Sequence, residues 1–230
     1  MLSVLLDIFF DPKAAFREIV VRPRWWFPLL LTLVLALTFS YVLSTHIGWD
    51  TVMRKAAESS SQMQSMTKEQ RESMLATQIK FAGIFGYIGP LIFIPCAAAI
   101  IAAILMFVFN SLFGGQVKFK QSFGIVAWSW VPGLLGSIVG IILLFVKNPE
   151  DIDINNPIPF NVGYYLSDKV PKWLISLCSS IDLFTLWTIA LLAAGFAVAT
   201  RKSWISCLWG VVLPWAAWIV VKVGWAAIRG

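Results

Sequence analysis

Charged residues are scarce in this sequence. Asp, Glu, Lys and Arg make up 13% of its 230 residues, whereas hydrophobic residues make up 59% and the mean hydropathy is +0.79. Soluble globular chains carry roughly 25% charged residues, and a soluble fold of this composition would expose larger apolar patches than soluble monomers usually show. The composition therefore excludes an ordinary soluble domain and predicts an integral membrane protein.

The residues that usually carry catalysis or bind metals are also few. His46 is the single histidine, and the sequence has no G-x-S-x-G, H-E-x-x-H or glycine-rich phosphate loop. Cys96, Cys178 and Cys207 have neither zinc nor redox spacing. Residues 151–155, "DIDIN", begin like a calcium loop but lack its later glycine and glutamate. The sequence predicts no enzyme, no cofactor and no metal site.

Ionisable residues are nearly absent from the long apolar stretches. A spanning helix needs about 20 mainly apolar residues, and five stretches qualify, at about 26–44, 81–113, 123–146, 183–200 and 204–225. Pumps and carriers usually place ionisable groups at mid-membrane, but here Asp182 and Lys222 lie at span ends. We predict an all-α, polytopic helical bundle with five transmembrane helices, forming one membrane domain over 1–230 that is not a proton-coupled transporter.

The basic residues predict the orientation of the bundle, because short cytoplasmic loops are enriched in Lys and Arg. One side combines the N-terminal segment 1–24 with the loops after spans two and four. Its basic residues outnumber its acids, Asp7, Asp11 and Glu18; they are Lys13, Arg17, Arg22, Arg24, Lys118, Lys120, Arg201 and Lys202. The N-terminus is therefore predicted to be cytoplasmic and the C-terminus outside, with outside loops at about 45–80 and 147–182. The net charge of +6 then reflects attraction to anionic lipid, and no nucleic acid partner is expected.

The segment "DPKAAFREIVVRPRWWFPLLL" predicts a short amphipathic helix before span one. Asp11 suits the N-cap, Pro12 the first helical position, and Pro23 ends the helix at Arg22. We expect this helix to lie in the membrane interface, with a set of basic residues near lipid phosphates and two indoles at headgroup depth. The basic residues are Lys13, Arg17, Arg22 and Arg24, and the indoles are those of Trp25 and Trp26. Alternatively, the helix packs on the protein's own cytoplasmic loops.

Two helices are predicted in the outside loops. Thr67 and Gln70 have the spacing of a capping box, so a helix that starts there would continue into span two and project beyond the membrane. Prolines exclude a long helix before Pro171, and a short surface helix is expected after it.

Glycines predict close helix packing within span three. Gly136 and Gly140 form a G-x-x-x-G motif in an apolar helix, which lets helix backbones approach closely. The motif suits packing within the chain or a homo-oligomer.

Four features follow one another along nearly the whole chain. They are "DPKAAF…RPRWWFPLLL", "FNSLFGGQVKFKQSFGIVAWSWVPGLLG", "NPIPFN" and "SSIDLFTLWTIALLAAGF", the last followed by a proline-bearing span. Together they resemble the bacterial branch of the Yip family, the Rab/Ypt-interacting-protein-like membrane proteins with five spans. The resemblance implies a cytoplasmic N-terminus and no catalytic residues. The positions that match the family pattern are Asn110, Gly114, Gly115, Trp128, Pro132, Pro157, Asp182 and Trp187; Asp182 would either cap span four or contact a partner.

The same resemblance implies a role in protein interaction. Eukaryotic relatives bind small prenylated GTPases and shape or sort membranes, but the long cytoplasmic N-terminal segment typical of them is not seen here. Some bacterial members accompany ABC-type exporters that have an extracytoplasmic adaptor. We therefore expect a non-enzymatic interaction or scaffold protein of the bacterial cytoplasmic membrane, with membrane lipids and other membrane proteins as partners. A small channel or carrier for neutral or apolar solutes, and a lipid-organising protein, are the alternatives.

Overall fold

Helices make up most of the described part of the chain, which is residues 1–58, 63, 65–148, 156, 158–167 and 170–229 of a computed structural model. Ten α-helices lie in these ranges: α1 (Leu2–Phe10), α2 (Pro12–Val21), α3 (Trp26–Val42), α4 (Trp49–Glu58), α5 (Lys68–Ser111), α6 (Phe119–Ser129), α7 (Val131–Val146), α8 (Lys172–Ser179), α9 (Leu183–Thr200) and α10 (Trp204–Arg229). A π turn, Leu43–Ile47, extends α3, and a 3-10 turn, Val162–Tyr165, precedes α8.

Five of these helical segments are long and apolar enough to cross a membrane. They are Trp26–Ile47, Lys68–Ser111, Phe119–Val146, Leu183–Thr200 and Trp204–Ile228. The prediction of an all-α polytopic bundle with five spans is confirmed.

Local sequence signals set several helix ends as predicted. The amide of Ala14 donates to Asp11 Oδ1 at 3.1 Å, and α2 ends before Pro23. Thr67 and Gln70 form the expected capping box, with reciprocal bonds of 3.4 and 3.3 Å. At 1.5 Å per residue, α5 is about 66 Å long, about twice the hydrocarbon thickness of a bilayer. The predicted continuous helix into span two is therefore present, and so is the short helix after Pro171.

Three features of the fold differ from the sequence-based boundaries. Span three is two helices, α6 and α7, that meet at Trp130 just before Pro132, because proline cannot donate the backbone hydrogen bond that would continue the first helix. α1 and α4 were not predicted. α1 lies before the expected helix, and α4 packs against α5 inside the predicted first loop.

The largest buried cluster lies toward the face of the bundle that holds the N-terminal helices, here called the N-terminal face. It joins α1 and α2 to the second half of α5, to α6, to α9 and to the start of α10, and its largest members include Phe16, Phe109, Trp128 and Phe196. Two small clusters, one around Val52 and Leu144 and one around Ala57 and Leu75, lie toward the opposite face.

Candidate functional site

Asn110 and the glycine pair after it build the turn between α5 and α6. The Asn110 amide donates to the Val117 carbonyl at 3.0 Å and accepts from the Val117 amide at 2.8 Å. Gly114 has φ +63°, and a Cβ on Gly115 would lie 3.0 Å from the Phe109 carbonyl. These family-pattern residues therefore fix a tight turn on the N-terminal face.

Trp128 and Pro132 lie inside the bundle. Trp128 is 1% exposed and its ring lies 5.9 Å from that of Phe27. Its indole N–H has no hydrogen-bond partner among the described residues. Pro132 is fully buried at the start of α7. Both therefore contribute to the core around the break between α6 and α7.

The glycines of the G-x-x-x-G motif accommodate neighbouring side chains of the same chain. A Cβ on Gly136 would lie 2.7 Å from the Phe184 ring, and one on Gly140 would lie 3.4 Å from Ile158. Both glycines are buried. At both positions the structure therefore shows packing within the chain, which is one of the two interpretations of the motif.

Asp182 caps the N-terminus of α9. One carboxylate oxygen accepts from the amides of Phe184 and Thr185 at 2.9 and 3.1 Å, and the other accepts from the Thr185 hydroxyl. Trp187, one turn further along, makes an edge contact with Phe9 of α1 at 5.6 Å. Pro157 lies outside the described residues.

The apolar face of α2 is buried against other helices. Phe16 and Ile19 are 0% and 2% exposed. A Cβ added to Gly195 of α9 would lie 3.0 Å from the Phe16 ring, so only glycine leaves room for this contact. Pro23, just after α2, packs against Gly124 of α6, where an added Cβ would lie 2.8 Å from the Pro23 ring. Of the two sequence interpretations, this is closer to packing on the protein itself, with spanning helices in the place of loops.

The predicted lipid-interface residues lie on the other side of α2 and after it. The four basic ones, Lys13, Arg17, Arg22 and Arg24, are exposed. Trp26 is 49% exposed, whereas Trp25 packs edge-on against Phe123 at 5.2 Å. Their contact with lipid phosphates stays a prediction.

A cavity of about 910 Å³ lies between spanning helices and was missed by the sequence reasoning. Its walls come mainly from α5, α7, α9 and α10, with Thr32 from α3. Most wall residues are apolar, and the polar ones lie mainly near the start of α9 and the end of α10; they include Ser179, Ser180, Asp182, Thr185, Thr188 and Lys222. The available signal was that Asp182 and Lys222 stand at neighbouring ends of consecutive spans.

Polar contacts lie at the end of this cavity away from the N-terminal face. Lys222 Nζ donates to Ser180 Oγ at 2.9 Å, and Ser180 Oγ donates to the Ser176 carbonyl at 2.7 Å. The cavity is therefore amphiphilic, with an apolar interior and a cation at one end. Elsewhere His46 packs against the Phe145 ring at 4.9 Å, and the described residues contain no group of three His, Cys, Asp or Glu side chains that could hold a metal.

Comparison with known proteins places the whole chain in context. The family model described as the Yip1 domain matches residues 6–226. Membrane protein YknW of Bacillus subtilis (strain 168) is 25% identical over 211 residues, which cover 89% of this chain and 83% of that protein. No solved structure matches. The family match extends from α1 to α10 and so includes all five spans and the cavity.

Proposed function

This chain belongs to the Yip1 domain family of membrane proteins, as its motifs predicted, and from that premise we propose that it is a non-enzymatic interaction or scaffold protein. It is a multi-pass membrane protein, and lipid surrounds its spans. The finer proposal is that it acts as an accessory subunit beside an ABC-type exporter, as the family resemblance implied.

The observation that carries this proposal is the length of α5. Its spanning part leaves a polar first section, from Lys68 to about Lys80, beyond the apolar stretch. α4 packs along this section, where Ala57 and Leu75 share a small buried cluster, and its Trp49 indole reaches the start of the apolar stretch, occupying the space that a Cβ on Gly86 would need. We call α4 and the first section of α5 the rod. A rod outside the bilayer offers a partner a surface that lipid does not cover.

The rod carries exposed charge and one large exposed apolar side chain, Met74. Asp50 and Arg54 form an exposed ion pair at 2.9 Å, and this hydrogen bond raises the pKa of Arg54 above its ordinary value. Such a pair adds little stability. Glu69, Glu72 and Met74 are exposed on the adjacent α5 surface, and a mainly charged surface of this kind resembles the polar rim of a protein interface.

The proposal also includes a cytoplasmic N-terminus, an outside C-terminus and one membrane domain over residues 1–230. With the basic N-terminal face in the cytoplasm, the rod projects outside, where an exporter's extracytoplasmic adaptor would lie. A reporter active only outside the cytoplasm, fused to the C-terminus, should then be active. If the C-terminal fusion is inactive and a fusion in the loop at 201–203 is active, the orientation is the opposite of the proposed one.

Photocrosslinking in intact membranes tests the interaction. A photoreactive amino acid at Glu69 or Met74 should crosslink to one discrete partner, identified by mass spectrometry as an exporter subunit or its adaptor. The matched position is Lys202, exposed on the other face, which should not give that product. If the rod positions give no such product while the exporter is present, the accessory role is wrong.

A second candidate function is a carrier for neutral or apolar solutes, which the cavity favours. Pro214 lines it from within α10, and a proline inside a spanning helix leaves a backbone carbonyl that a neighbouring group must satisfy. Liposomes containing the purified chain should then release such a solute faster than empty liposomes. Equal release rates would eliminate this candidate.

A further inference from the structure

We propose that the amphiphilic cavity binds one anionic phospholipid, with its phosphate at Lys222 and an acyl chain along the apolar wall. This site does not depend on the proposed interaction function. Three observations support it: the state of the cation, the depth of the apolar part, and the opening toward the bilayer.

The cation at the polar end lacks a carboxylate partner within the described ranges. Lys222 Nζ donates to the neutral hydroxyl of Ser180, and the ion pair found among the described residues is elsewhere, between Asp50 and Arg54. The nearby carboxylate of Asp182 already accepts three hydrogen bonds at the start of α9. An ammonium group has three donors, so Lys222 suits a phosphate oxygen, and basic pockets between spanning helices recognise anionic headgroups in this way.

The apolar part has the depth of one bilayer leaflet. Val211 and Lys222 both line the cavity from α10, and at 1.5 Å per residue they lie about 16 Å apart along the helix. Half of the hydrocarbon core of a bilayer is about 15 Å. Between these levels the wall includes Ile101, Leu105 and Leu192. A headgroup at Lys222 would thus leave its acyl chain at the depth of the chains of the neighbouring leaflet.

The cavity opens sideways between α5 and α10. The wall residues Ile100 and Trp218 are 60% and 63% exposed, so on this side the protein does not separate the cavity from the membrane. The volume of about 910 Å³ lies within the range of about 300–1,000 Å³ typical of ligand pockets. A lipid can therefore enter from the bilayer with its chain already in an apolar environment. A small anion alone would leave the apolar wall unfilled.

Two variants with matched controls separate the headgroup from the chain. Lys222→Ala removes the cation, and Lys172→Ala removes an exposed cation of α8 that does not line the cavity. Gly133→Leu places a side chain in the cavity, because Gly133 lines it and an added Cβ meets nothing within 4 Å. Gly224→Leu is the matched control, since its Cβ is equally unobstructed and it lies outside the cavity.

The measurement is native mass spectrometry of the full-length chain titrated with phosphatidylglycerol or phosphatidylcholine in detergent. The wild-type chain, Lys172→Ala and Gly224→Leu should each retain one phosphatidylglycerol molecule. Lys222→Ala should weaken phosphatidylglycerol binding about tenfold or more, because it loses a hydrogen bond to a charged group, and it should bind both lipids equally. Gly133→Leu should bind neither.

Three results would overturn the assignment. Wild-type affinity for phosphatidylglycerol in Lys222→Ala would exclude Lys222 as the partner of the phosphate. Undiminished binding in Gly133→Leu would exclude the cavity as the binding site. Competition by glycerophosphoglycerol, the headgroup without acyl chains, would show that the site recognises a soluble phosphate ester. Size-exclusion profiles and circular dichroism that match the wild type establish that each variant is folded.

Discussion

Asp182 both caps helix α9 and lines the cavity. Its carboxylate accepts the first amides of α9 and also lines the cavity. Asn caps a helix about as well as Asp, whereas Ala does not. The pair of substitutions therefore separates a structural role from one that needs the charge.

We expect Asp182→Ala to lower the free energy of unfolding by about 1 kcal/mol, within the usual range of about 0.5–2 kcal/mol for a lost N-cap. Asp182→Asn should stay close to the wild type. Denaturant unfolding in detergent micelles, followed by circular dichroism, measures both. If Asp182→Asn is as destabilised as Asp182→Ala, the cap does not account for the residue.

Asn110 should be more sensitive to substitution than Asp182. It satisfies both main-chain groups of Val117, which is 4% exposed. Asn110→Leu leaves these groups without their partner, and an unsatisfied buried group costs about 1–3 kcal/mol. Thermal unfolding of the purified chain should show this loss, with Gln116→Leu in the same turn, exposed, as the control. Equal melting temperatures for the two variants would contradict the assigned role.

The sequence selected candidate residues without indicating what each one contacts. The family pattern selected Asn110, Gly115 and Trp128 without distinguishing a turn from a partner contact, because a sequence pattern does not show which residues are neighbours in space. The positions of Asp182 and Lys222 at neighbouring span ends indicated a shared polar end, but not the cavity beside it, because the contact that builds this end joins Ser180 to Lys222 across 42 residues.

At the scale of elements, composition was enough to predict the spans. Apolar stretches of about 20 residues have one stable arrangement in lipid, a helix that satisfies its own backbone. α4 escaped prediction because half of its residues are polar and it is too short to be a span, and its position depends on Trp49 entering the space beside Gly86. The break at Trp130 follows from Pro132, which lacks the backbone N–H that would continue α6.

The contact between α4 and α5 can be tested with one substitution at two positions. A Cβ on Gly86 would lie 2.3 Å from Trp49 Cζ2, whereas one on Gly83 would lie 3.8 Å from Trp49 Cδ1. Gly86→Ala should displace the indole and loosen α4, and Gly83→Ala should not. Limited trypsin digestion should cleave after Arg54 or Lys55 several-fold faster in Gly86→Ala alone. Equal cleavage in both variants would mean that the indole is not what holds α4.

At the scale of the whole molecule, one face carries both the exposed basic residues and an apolar stripe. The stripe is on α1, where Leu2, Leu6 and Phe10 are 72%, 55% and 85% exposed at helical spacing. Such a combination is typical of helices that lie in the membrane interface. The lipid-organising alternative therefore keeps a structural basis, although α2 buries its own apolar face in the protein.

Replacing Lys13, Arg17, Arg22 and Arg24 by Gln should reduce the anionic lipid that accompanies the purified chain. Each basic residue near an anionic surface contributes about 1 kcal/mol of attraction at most, so the four together should change the lipid ratio measurably. The control replaces Lys147 and Lys172, near the opposite face, by Gln. An unchanged ratio of phosphatidylglycerol to phosphatidylcholine in extracted lipid would argue against the interface assignment.

The uneven distribution of buried residues has a dynamic consequence. Amide hydrogens around Phe109, Trp128 and Phe196 should exchange slowly, whereas those of α4 and α8, which belong to small clusters or to none, should exchange through local opening. The rod belongs to this less protected part of the molecule. A docking partner would therefore reshape the rod while the large buried cluster stays folded in the bilayer.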